Sequence, residues 1–86
     1  MDTVEKRHEV KVLGSGCPNC RRLEAAVRKV SAETGVPAEI EKVTDYGRIL
    51  EWGVMHTPGL VVDGTVVSTG RIPSEHEIAA WLTGEV

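Results

Sequence analysis

The sequence predicts a small α/β domain built on one mixed four-stranded sheet flanked by helices, in the order β-α-β-α-β-β-α. Three observations predict it. Period-two alternation marks residues 8–13 and 38–43 as strands, and between them lies a stripe of apolar residues at helical spacing. Further on, Asp63-Gly64 joins two short apolar runs, the pattern of a tight hairpin.

From His8 to Leu13 the chain sets Val10 and Val12 against Lys11 and Leu13, and it stops at Gly14-Ser15-Gly16. After Pro18, Cys20, Leu23, Val27 and Val30 recur at steps of three, four and three, which puts them on one buried face of a helix that Gly35 ends. Its other face carries Arg21, Arg22, Glu24, Arg28 and Lys29, read as solvated charge. Val36-Pro37 forces an extended entry into Ala38–Val43, whose charges suit an edge strand. Thr44 or Asp45 can cap a short helix running to about Trp52, with Ile49 and Leu50 inward and Gly53 ending it, although Gly47 weakens it. In the last segment Ser74 and Glu77 form a capping box, because hydroxyl and carboxylate can each satisfy an unpaired amide of the helix start. Ile78, Trp81 and Leu82 then give the apolar face, and Gly84 closes the helix. The first two strands, joined through a helix, should be parallel, and the last two antiparallel.

The chain of 86 residues shows no composition shift or repeat at which to divide it, so residues 1–86 are expected to form a single domain, with residues 1–7 a flexible tail. Two cysteines three apart cannot be a stabilising framework, since their loop constrains the unfolded chain little. Stability must come from packing, which 41% hydrophobic residues, rich in valine, can supply. Residues 1–9 are polar with no apolar signal core, and no apolar run reaches membrane-spanning length, so a cytoplasmic, membrane-free location is expected. With a net charge of −3 and no basic cluster beyond Arg21-Arg22 and Arg28-Lys29, nucleic acid is not an expected partner.

Cys17-Pro18-Asn19-Cys20 carries the chemistry. In the reducing cytoplasm a close cysteine pair is redox-active or metal-binding rather than structural. Inside a regular helix, residues at i and i+3 hold their Cβ atoms about 5–6 Å apart. A disulfide wants about 3.5–4.5 Å. The pair closes only if Cys17 sits at the non-helical N-cap with Pro18 at the first helical position, where proline forfeits no hydrogen bond. That geometry aims free amides and the positive helix end at Cys17 and favours its thiolate, which makes Cys17 the expected nucleophile. Cys20, one turn inside and more shielded, would resolve the mixed disulfide. A closed zinc site needs four ligands, and His8, His56 and His76 show no paired spacing.

The strand, Gly-Ser-Gly-Cys-Pro-Asn-Cys, the helix, and then Gly53-Val54-Met55-His56-Thr57-Pro58-Gly59-Leu60-Val61-Val62-Asp63-Gly64 together resemble the thioredoxin superfamily. The likeness is greatest to its very small thioredoxin/glutaredoxin-like redox-active disulfide proteins and covers about residues 8–83. It implies a minimal thioredoxin-like fold. It also implies that Pro58 is a cis proline set against the cysteine pair and that Thr57 offers its backbone to an extended substrate. His56 and Gly16 would stand at the rim, where a protonated His56 could support a thiolate, although an exposed loop histidine is the plainer reading. Three departures separate the chain from thioredoxin proper: Gly16 rather than tryptophan precedes the first cysteine, Pro18 takes the first intervening position, and Lys11 stands where thioredoxin has a buried aspartate. Met55, Trp52 and Trp81 are read as packing or rim residues.

The function expected is thiol–disulfide exchange with a protein or small-molecule disulfide, the pair being restored by a reductase or a low-molecular-weight thiol. No cofactor, no metal and a monomeric state are expected. One alternative is a carrier of a soft ion, Cu(I) or Zn(II), on the same two thiolates. Ferredoxin-like carriers follow the order β-α-β-β-α-β, whereas this chain ends in a capped helix. Another is a non-catalytic adaptor using the fold's substrate groove.

Overall fold

A computed structural model describes residues 8–84; the tail expected at residues 1–7 lies outside the described residues. Strand β1 is His8–Leu13, helix α1 Pro18–Thr34, β2 Ala38–Val43, α2 Tyr46–Glu51, β3 Gly59–Val62, β4 Thr65–Thr69 and α3 Glu75–Thr83. The strands form one sheet in the order β2-β1-β3-β4. β1 and β2 run parallel from His8↔Ala38 to Leu13↔Val43, so β2 is an edge. β1 and β3 pair antiparallel, Val10 against Val62 and Leu13 against Gly59. The β3–β4 hairpin is also antiparallel, with its register shifted between Leu60 and Val61. Asp63 at φ 51° and Gly64 at φ 83° turn it, a pair of left-handed residues that Asp-Gly tolerates. The Asp63 carboxylate then ties the turn back to β1, accepting from the Glu9 amide at 2.9 Å and pairing with His8 Nδ1 at 2.6 Å.

Alternation along the strands sorts the core into two clusters on opposite faces of the sheet. On one, Val10, Val12, Leu60 and Val62 pack with Leu23, Val27 and Val30 of α1 and Ile78 and Leu82 of α3. On the other, Leu13, Val43 and Val61 meet Ile49 of α2 and Val54. Trp81 and Trp52 are partly buried at the borders of the first and second clusters respectively, where they act as packing residues.

The short helix differs from expectation. Asp45 caps it through the Arg48 amide, but it stops at Glu51, with Trp52 already the C-cap. Ile49 is buried while Leu50 remains 50% exposed. Successive helical residues point about 100° apart, and a helix of under two turns presents a single inward position to the sheet. Gly47 is accommodated within that helix. Among the described residues, no helix is long and apolar enough to cross a membrane.

Candidate functional site

β1 delivers the chain through Gly14-Ser15-Gly16 to the start of α1. Cys17 is the N-cap, extended at φ −68° and ψ 163°, and Pro18 occupies the first turn. The Cys17 carbonyl accepts the first helical bond from the Arg21 amide at 3.0 Å. Its sulfur accepts from the Cys20 amide at 3.2 Å, so the Cys17 side chain also caps the helix. Ending the non-helical backbone at Cys17 brings the two Cα atoms to 5.1 Å, and Cys17 and Cys20 are joined as a disulfide. The two sulfurs are not equivalent: Cys17 is half-buried, whereas Cys20 is 5% exposed.

Thr57 and Pro58 come to the same place from far along the chain. The Thr57–Pro58 peptide is cis, Pro58 is buried, and its carbonyl accepts from the Gly70 amide at 2.9 Å, which fixes this loop to the end of β4. Their meeting with the cysteine pair is visible at Gly14. A side chain there would overlap Cys20 Sγ, and its Cβ would lie 3.3 Å from Cys20 Cβ and 3.8 Å from Thr57 Cβ. Gly14 is itself held by its amide on the Val43 carbonyl at 2.9 Å. Glycine is needed because three segments converge on one point. Gly14-Ser15-Gly16 reads in sequence only as a strand stop, and the crowding at its first residue carries no local signature.

Gly16, at φ +87°, is exposed and open around its Cα. Together with Val12, Cys20, Arg21, Glu24, Lys42 and Thr44 it lines a cleft of about 260 Å³ beside the disulfide. Glu24 is the acid of this cleft. The Arg28 guanidinium holds its carboxyl below the usual range, with Lys42 contributing, against the opposing effect of burial. His56 is exposed and rests against Gly70, where an added Cβ would approach its own Cβ to 3.1 Å. Lys11 donates to Glu41 at 2.9 Å. Among the described residues no three His, Cys, Asp or Glu side chains gather in a metal-binding group.

The helix charges that the sequence presents as one solvated face are not alike in the fold. Arg28 and Lys29 engage Glu24 and Glu75 at 2.8 and 3.1 Å, whereas Arg21 and Arg22 are exposed and have no carboxylate partner among the described residues.

Comparison with known proteins agrees with this geometry. A family model described as a thioredoxin domain matches residues 8–83. A protein named thioredoxin from Methanocaldococcus jannaschii is 45% identical over 73 residues, covering 85% of this chain and 84% of that one. A second, from Methanothermobacter thermautotrophicus, also named thioredoxin, is 41% identical over 75 residues, covering 87% of this chain and 97% of that one.

Proposed function

The chain belongs to the thioredoxin family and is a thiol–disulfide oxidoreductase, and we propose that within this activity Cys17 attacks the substrate disulfide and Cys20 resolves it. The observation that carries the assignment is the unequal setting of the two sulfurs. Cys17 stands at the helix N-cap, half-exposed, with the Cys20 amide donating to its sulfur, and the helix dipole favours negative charge there. Cys20 is 5% exposed and packs against Gly14, so it is less open to a substrate disulfide than Cys17 and is placed to attack Cys17 Sγ instead.

The exchange then balances as follows. The Cys17 thiolate attacks one sulfur of the substrate, forming a mixed disulfide and expelling the other sulfur as a thiolate that takes up a proton. Cys20 loses its proton and attacks Cys17 Sγ. This restores the Cys17–Cys20 bond and releases the second substrate thiol, so two electrons have passed from the pair to the substrate. Thr57 would contribute its backbone to an extended substrate segment, with Pro58, Gly16 and His56 around it. A reductase or a low-molecular-weight thiol would return the pair to its dithiol form.

The test is trapping. A Cys20→Ser variant should accumulate a mixed disulfide through Cys17 with a model disulfide substrate, and a Cys17→Ser variant should accumulate none. Equal trapping by both variants, or by neither, would sink the assignment.

A further inference from the structure

The cations of this protein are distributed unevenly with respect to their partners. Lys11, Arg28, Lys29, Lys42, Arg48 and Arg71 each lie within ion-pair distance of a carboxylate. Among the described residues, the lysine and arginine side chains without such a partner are Arg21 and Arg22, one and two positions past Cys20. Both are exposed, and Arg21 shares the wall of the cleft with Cys20 and Gly16. Nor does the surrounding helix neutralise them. Between Cys17 and Val30 four cations face one carboxylate, Glu24, and that carboxylate is already engaged by Arg28 and Lys42. A chain of net charge −3 therefore keeps unneutralised positive charge beside its reactive sulfurs.

The two exposed guanidinium groups at this spot make no ion pair with any described residue. They do create a local potential of sign opposite to that of the whole protein. Such a potential draws in a partner of complementary charge and repels others, acting mostly on association rate and selectivity.

We propose that Arg21 and Arg22 form the docking surface for an acidic protein partner, one that presents its exchangeable disulfide or dithiol within a segment rich in aspartate or glutamate. The proposal rests on the exchange activity of Cys17 described above. Arg21 and Arg22 select the partner, while the chemistry remains with the cysteines. Guanidinium groups suit this role because they bind carboxylates in a planar, two-pronged geometry.

The experiment uses the pre-reduced protein and two peptides, each closed by one disulfide and matched except that one carries glutamates and the other lysines around it. The second-order rate constant for exchange is divided by that for reduction of the same peptide by dithiothreitol, which also attacks as a thiolate but carries no guanidinium, so that differences in intrinsic reactivity cancel. At low ionic strength the acidic peptide should be favoured by roughly 10-fold, the lower end of steering effects. The preference should shrink toward unity at roughly 0.5 M salt. The Arg21→Gln/Arg22→Gln variant should lose the preference, and Arg21→Glu/Arg22→Glu should reverse it. Equal normalised rates for the two peptides in the unmodified protein, or a preference that survives both variants, would overturn the proposal. Uncharged hydroxyethyl disulfide separates the two levels. Exchange with it but no charge preference means that docking by Arg21 and Arg22 is wrong, whereas no exchange with any disulfide means that the assignment of Cys17 is wrong.

Discussion

The backbone amide of Cys20 donates to the sulfur of Cys17 at 3.2 Å, so the helix that holds Cys20 is capped by the side chain of Cys17. Once the disulfide is reduced, the same amide and the positive end of α1 face whichever charge state Cys17 adopts. Both favour the thiolate.

Alkylation of the reduced protein should therefore be ordered. Cys17 should react first with iodoacetamide, with a midpoint below the ~8.5 of an ordinary cysteine. Cys20, at 5% exposure, should lag behind it at every pH. Mass spectrometry of partially alkylated protein measures this directly, and faster modification of Cys20 would contradict the roles assigned.

Gly14 and Gly16 flank the same turn but should respond differently to alanine. At Gly14 the added methyl meets Cys20 Sγ and Cβ within a buried junction, so Gly14→Ala should cost about 1–3 kcal/mol of stability and slow closure of the disulfide. At Gly16 there is open space, and only the positive φ opposes a side chain, so Gly16→Ala should cost about 1–2 kcal/mol and leave Cys20 in place. Urea midpoints of the oxidised variants, together with the rate of reoxidation, distinguish them.

Acid should act partly through the start of α3. The Glu77 carboxyl is lowered from 4.5 to about 2, chiefly by its hydrogen bonds from the Arg71 guanidinium, followed by the Ser74 amide. A carboxyl with a lower pKa in the folded state stabilises the fold while it is ionised. That contribution is complete above about pH 4.5 and is lost as the pH falls toward 2. Glu77→Gln removes the titration but keeps a side chain able to accept at the cap. The variant should be less stable than the unmodified protein at pH 7 and should converge with it near pH 2, as followed by urea denaturation across that range.

Much of the site was legible because its requirements are local. Cys17 as N-cap follows from Pro18 after it and from the reach a disulfide permits. The capping box of Ser74 and Glu77 and the hairpin turn at Asp63-Gly64 are likewise settled within four residues, and all three are found in the fold. Leu50 was misplaced because apolar character alone does not say how many inward positions a helix of under two turns can offer.

By itself, then, the sequence determined the order of elements, the hairpin turn at Asp63-Gly64 and the reactive pair at a helix start. Each depends on hydrophobic period, backbone preference or capping, which act between near neighbours. The family resemblance already set Pro58 against the cysteine pair, but tertiary structure alone decided that Cys20 and Thr57 meet across Gly14, and that Arg28 and Lys29 find carboxylates while, among the described residues, Arg21 and Arg22 do not. The physical reason is the same in both cases. Steric crowding and charge neutralisation depend on which distant segments the sheet and helices bring within a few ångströms, and no spacing along the chain encodes that distance.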